Sequence, residues 1–196
     1  MPHNTALLVV DMQMHFQSMT KTALPNIVTL CDYFIRTSSP IIFAQHGHSE
    51  AELTTNPSPN QLARKWGVSG SIAAGSGDWK IMDELQKFLP ESAADQVIPV
   101  GESLPEASSK VFPKLLPKNT YDAFINTTLS AILESARINR VIVCGVMTDC
   151  CCDTTARSAF NRGYETWLVS DACGSADKKH HEAGIFVDLA LHLEKY

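Results

Sequence analysis

Apolar residues are arranged along this chain in two ways. Unbroken runs occur at Thr5 to Val10, Ile41 to Ala44 and Val141 to Val146. A short run without alternation predicts a strand covered on both faces, as in a parallel sheet. Elsewhere apolar residues recur at helical spacing. Ile27, Leu30, Cys31, Phe34 and Ile35 form the stripe of a helix with Pro25 in its first turn, ending at Thr37-Ser38-Ser39 before Pro40. Leu129, Ile132, Leu133 and Ala136 form a second stripe, and Cys152, Ala156, Ala159, Phe160 and Gly163 a third. The pattern also predicts a strand within Lys110 to Lys118, imperfect because of its prolines, and another from Tyr164 to Ser170. Trp79 to Leu89 reads as a short helix and Lys178 to Leu193 as the last one. Strands alternating with helices give a parallel sheet with right-handed crossovers. The expected fold is α/β: a three-layer αβα sandwich with a mainly parallel, Rossmann-like sheet of about six strands. A single domain over residues 1–196 suits the length.

The least regular stretch is Glu52 to Asp78, which contains Asn56-Pro57-Ser58-Pro59 and Gly67, Gly70, Gly75 and Gly77. A loop this long in a compact domain is usually functional, often covering a site. Trp66 within it can cover a flat substrate or anchor the loop to the body.

Composition narrows the function classes. The chain is 44% apolar and 19% charged with a net charge of -5, so it has no basic footprint for nucleic acid. No apolar run approaches the roughly 18 residues that span a membrane. Met1-Pro2-His3-Asn4-Thr5 lacks a basic segment before the apolar one, unlike a signal peptide. Four of the six cysteines fall between Cys144 and Cys152, where adjacent residues cannot pair without strain. Reduced thiols in a cytoplasmic protein are expected.

Candidate chemistry collects at the predicted strand ends. Asp11 follows the first strand, where ligands bind in open α/β sheets, although an Asp there also caps turns. Lys118 ends a later strand; alone it reads as a solvated surface residue. After Val146 the chain turns and enters a helix at Thr148 or Asp149, both good N-cap residues, so that Cys150, Cys151 and Cys152 occupy its first turn. A thiol there faces free N–H groups and the positive end of the helix dipole, which favours the thiolate. Packing is the alternative for each cysteine. Beside such a thiol, Lys118 would lower its pKa and keep Asp11 charged. His46, His48 and Glu50 alternate after the second strand, either as metal ligands suited to zinc, manganese or iron or as polar residues of a loop.

Three segments together resemble the isochorismatase-like cysteine hydrolases, which include nicotinamidases and related amidases. They are Leu7-Leu8-Val9-Val10-Asp11-Met12-Gln13 with Phe16; Lys118 with Tyr121-Asp122-Ala123-Phe124; and Gly145-Val146-Met147-Thr148-Asp149-Cys150-Cys151, continuing to Thr154-Thr155-Ala156-Arg157, Gly163-Tyr164 and Asp171-Ala172. The resemblance implies Asp11 as general base, Lys118 as supporting cation and Cys151 as nucleophile. It also implies a cis peptide before Met147, with the N–H groups of Met147 and Cys151 forming an oxyanion hole. Gln13, Phe16, Trp66 and Tyr121 are then the expected substrate walls, leaving Cys150 and Cys152 as space-filling neighbours. Nicotinamidases carry an Asp and histidines as metal ligands after the second strand. Here His46 and His48 stand at those places, so the expectation is no cofactor, with these two as candidate ligands for a divalent metal. The expected activity is hydrolysis of a small, flat carboxamide through a thioester, by a homo-oligomer. The alternatives are vinyl-ether hydrolysis of the isochorismatase type with Asp11 as acid, and a non-catalytic thiol redox sensor.

Overall fold

A computed structural model describes residues 4–89, 96–102, 112–190 and 194–195. Its six strands are β1 (Thr5–Val10), β2 (Ile41–His46), β3 (Lys114–Lys118), β4 (Arg140–Val146), β5 (Glu165–Gly174) and the two-residue β6 (Glu194–Lys195). They form one sheet in the order β3-β2-β1-β4-β5-β6, and every neighbouring pair is parallel. The expected α/β architecture is the one observed. The prolines flanking and within β3 are tolerated because β3 is an edge strand, with one side free of ladder bonds. Lys110 and Val111 of the expected strand lie outside the described residues.

The unbroken apolar runs have a structural reason: alternate residues feed two separate cores. Leu8, Val10, Ile42 and Val143 point to one face, against Leu129, Ile132 and Leu133 of α5 (Leu129–Ser135) and Ala156 and Ala159 of α6 (Asp153–Asn161). Leu7, Val9, Phe43 and Cys144 point to the other, against Ile27, Cys31 and Phe34 of α1 (Leu24–Arg36). Each such side chain, fully buried, contributes about 1.5 to 3 kcal/mol, so neither face of β1 tolerates a polar residue.

Three expected elements are corrected. Of Trp79 to Leu89, only α4 (Asp83–Gln86) is helical. Its first residues are instead drawn out alongside the segment after β1: Met14 N–H donates to Lys80 O (2.8 Å) and Met82 N–H to Met12 O (3.0 Å). Of the expected third stripe Cys152, Ala156 and Ala159 are buried, but Phe160 is half exposed, because the buried face of α6 centres on Thr155, Ala156, Ser158 and Ala159 and Phe160 lies at its edge. The stretch read as irregular contains α2 (Glu50–Thr54) and α3 (Gln61–Trp66). The first has a capping box between Ser49 and Glu52, and the second is capped by the Asn60 side chain. The last helix is α7 (Lys178–Ala190); residues 191–193 lie outside the described residues. Among the described residues no helix is long and apolar enough to cross a membrane.

One glycine brings the two central strands together. Gly145 has φ 121°, and a Cβ added there would lie 2.1 Å from Val10 O. Only glycine lets the end of β4 pass this close to the end of β1.

Candidate active site

From β1 the chain builds outward to β2 and β3 on one side and to β4 and β5 on the other. The crevice beyond the β1 and β4 ends is therefore where an open α/β sheet binds ligands. Asp11 takes φ 51° as the chain leaves β1, a left-handed conformation that Asp tolerates better than most residues. Lys118, at the end of β3, reaches across β2 to place Nζ 2.7 Å from Asp11 Oδ2, with both side chains at most 1% exposed. The same ammonium donates to Thr120 O at 2.9 Å. Cys151 shares the cavity wall with Asp11, near enough for each to shift the other's pKa. Residues from three parts of the chain, with Asp11 more than a hundred positions before the other two, thus form one buried group.

Burial sets the electrostatics. It raises the Asp11 pKa, and the Lys118 charge only partly offsets this. Burial opposes the charge on Lys118, but Asp11 and Cys151 more than compensate, so its pKa is raised and it stays an ammonium. The Cys151 thiol is also pushed up, first by burial, which outweighs the lowering effect of Lys118. Burial thus works against the thiolate that the start of the helix was expected to favour, beside a carboxylate whose basicity it raises. Thr148 and Asp149 do not cap the helix with their side chains either, because both are drawn toward β5 and α7.

The Val146–Met147 peptide is cis, as the family resemblance implied. The π turn that follows is closed on Met147 O, which accepts from Cys150 N–H (3.1 Å) and Cys152 N–H (3.0 Å). Cys152 is fully buried in the core. Cys150 is half-buried and belongs to neither core, so of the two neighbours only Cys152 fills space as expected.

Asp11 and Cys151 open onto a cavity of about 350 Å³. Phe16, Trp66 and Tyr121 line it, as does Met147. Trp66 both lines the cavity and ties α3 to the β3 side, through Nε1–H donating to Tyr121 Oη at 3.2 Å. Gln13 is not in the wall. It is fully buried, with Nε2 donating to His46 O and Trp79 O and Oε1 accepting from His46 N–H, all at 2.8 Å. It clamps β2 to the segment after β1. Sequence reasoning missed Met19, Leu62, Ile72 and Ala176 in the lining, which carry no distinctive local signal.

His46 and His48 also line the cavity, their rings 4.9 Å apart, and each has a buried Nδ1 without a hydrogen-bond partner. Burial lowers both pKa values, so the rings are neutral donor sets. The nearest carboxylate, Glu52, lies 3.9 Å from His48 Nδ1 but is held by Ser49, Asn60 and Asn119. Among the described residues no three His, Cys, Asp or Glu side chains converge on a metal position. Two imidazoles fall one ligand short of the usual catalytic zinc set.

A family model for the isochorismatase domain matches residues 5–187. The chain belongs to the isochorismatase family. It is 36% identical to "Nicotinamidase 3" of Arabidopsis thaliana over 178 residues, covering 91% of this chain and 77% of that protein. Among solved structures, a nicotinamidase from Staphylococcus aureus superposes with TM-score 0.68 at 24% identity, covering 98% of each chain. A pyrazinamidase from Pyrococcus horikoshii, in complex with zinc, gives TM-score 0.68 at 22% identity, again with 98% of both chains. This isochorismatase-family protein is accordingly a hydrolase of the amidase type, on the fold those structures share.

Proposed function

We propose that this hydrolase cleaves the C–N bond of a small planar carboxamide of the nicotinamide type through a thioester on Cys151. The observation that carries this reading is the buried Asp11–Lys118 pair beside Cys151, with Asp11 and Cys151 opening onto a cavity large enough for a small molecule. The name of the Arabidopsis relative supports the substrate class.

Asp11 takes the thiol proton as sulfur attacks the carbonyl carbon, which spares the enzyme a free thiolate in a buried site. Lys118 keeps Asp11 ionised until that moment and afterwards balances the developing charge. The tetrahedral oxygen is met by the N–H groups of Met147 and Cys151; one such donor is worth roughly 2.7 to 4 kcal/mol in comparable sites. Asp11 then returns its proton to the departing nitrogen, giving ammonia and the thioester. Water, activated by the same carboxylate, releases the acid and restores the thiol. Phe16 and Trp66, both in the cavity lining, supply apolar ring surface to a flat substrate. No step requires a metal.

Ammonia release from nicotinamide tests the reading. Cys151→Ala should lose turnover by about 10⁴-fold or more, the scale on which removed nucleophiles are felt. Wild-type protein quenched during turnover should carry an acyl group on Cys151 by mass spectrometry. Undiminished hydrolysis by the alanine variant would reject a thiol nucleophile and favour acid chemistry by Asp11.

A further inference from the structure

The turn that presents Met147 and Cys151 is held from behind by side chains outside the cavity lining. Thr148 is fully buried, and its Oγ1 donates to Gly174 O at the end of β5 (2.9 Å). A hydroxyl has one proton, so the second contact, with His181 Nδ1 at 2.8 Å, must have the imidazole donating. That fixes the proton on Nδ1 of His181, whether the ring is neutral or charged. One residue on, Asp149 accepts from Ser175 Oγ and from His180 Nδ1, the latter at 2.7 Å. The backbones are equally close: a Cβ added at Gly184 of α7 would lie 3.0 Å from Asp149 Cα and N and from Thr148 C.

Magnitude separates the two anchors. The His180–Asp149 pair is solvent-facing, with His180 59% exposed, and exposed pairs of this kind add little. The Thr148–His181 bond ends on a buried hydroxyl; without it the oxygen has lost its donor, and this side chain holds the turn through the Gly174 bond instead of two.

We propose that His181 is a positioning residue for the oxyanion hole, its Nδ1–H holding the Thr148 hydroxyl and, through it, the turn that aims the Met147 and Cys151 N–H groups. The inference rests on the thiol-nucleophile reading above. His181 touches neither substrate nor the reacting atoms; it acts only on the orientation of backbone donors.

Three full-length variants test it, with nicotinamide as substrate. His181→Ala removes the donor, His181→Asn restores an N–H near the same place, and Thr148→Val removes the acceptor while keeping the side-chain shape. For the alanine variant kcat should fall about tenfold to a hundredfold with KM within about twofold, the signature of a misplaced transition-state contact. His181→Asn should recover most of that loss. The His181→Ala/Thr148→Val double variant should be no worse than Thr148→Val alone, because that variant already removes the His181 bond along with the one to Gly174.

Two probes separate positioning from general damage. Pyridine-3-carbaldehyde, to which the thiol adds to form a tetrahedral hemithioacetal, should bind more weakly by the same factor as kcat falls. Alkylation of Cys151 by iodoacetamide, a displacement at saturated carbon that uses no oxyanion hole, should keep its wild-type rate. Unchanged kcat in His181→Ala, or a loss that appears in KM, overturns the proposal. So does a parallel loss of alkylation and thermal stability that His181→Asn does not repair. If Cys151→Ala itself hydrolyses nicotinamide, the underlying reading fails instead, and that result is distinct from all of these.

Discussion

Asp11, Lys118 and Cys151 sit just past or at the ends of strands, packed to near-zero exposure, whereas Trp66 hangs from the six-residue helix α3 and is 51% exposed. Asp11 and Cys151 face the same cavity as Trp66. The floor takes its geometry from sheet register: Val10 is paired to Gly145 and His46 to Lys118, so its groups cannot move independently. The outer wall takes its geometry from caps and from side-chain bonds to the segment after β3, Trp66 to Tyr121 and Glu52 and Asn60 to Asn119. Chemistry that fails with an ångström of misplacement belongs on the first kind of support. Substrate choice, which tolerates adjustment, belongs on the second.

The contrast can be broken at the floor. Lys118→Met removes a buried cation and strands Asp11; losing one partner of such a pair costs about 3 to 5 kcal/mol. Asp11 then binds a proton and cannot act as base, so turnover should vanish and urea unfolding should shift to lower denaturant. A variant that keeps both activity and stability contradicts an electrostatic floor.

The pH profile sharpens the same point. Asp11 must be ionised to accept the thiol proton, and its pKa is raised above 3.8, so the acid limb of kcat/KM should have its midpoint above pH 3.8. Lys118 is raised above 10.5, which puts its deprotonation beyond that pH. Between the limbs the profile should be flat, because the thiol transfers its proton during attack. A rise in kcat/KM following thiol ionisation near the ordinary cysteine value of 9.0 would contradict this.

Gln13 joins floor to wall, since it holds both His46 and Trp79. Gln13→Ala orphans buried backbone groups of His46 at about 1 to 3 kcal/mol each, so a lower melting temperature and a lower kcat should appear together. Trp66→Ala should do the least. KM should rise about twofold to tenfold, the worth of one modest hydrogen bond, while the melting temperature stays near wild type. A Trp66 variant that lost kcat instead would move this residue into the floor.

The sheet was legible in the sequence because burial on both faces leaves unbroken apolar runs, and the β1 and β4 runs could hardly be anything else. Asp11 stood out because it follows such a run; Lys118 alone read as a surface residue, and it and Cys151 were singled out by the family resemblance. What misled was local reasoning applied to residues with distant partners. Thr148 and Asp149 look like caps, but their side chains bond to Gly174, Ser175 and α7. A cysteine after a strand looks like a thiolate until its burial is known. Trp79 to Ile81 looks helical until Gln13 and Gln45 claim the Trp79 carbonyl. Gln13 looked like a substrate contact because it lies two residues from Asp11, yet its side chain points into the structure. The Ser49-to-Glu52 capping box, by contrast, was readable from four residues and would have revealed α2.

The strand order has a consequence for the chain as it is being made. β1 pairs with β2 on one side and, from Thr5 to Val10, with Arg140 to Gly145 on the other. At about 5 to 20 residues per second, a ribosome needs roughly 7 to 26 s to travel from Val10 to Arg140. For that interval the most apolar strand of the protein has an unpaired edge, a template for the wrong neighbour. The nascent chain is thus most exposed to aggregation before β4 emerges, and protection in the cell, whether by a chaperone or by slow handling of the polypeptide, matters most during that wait.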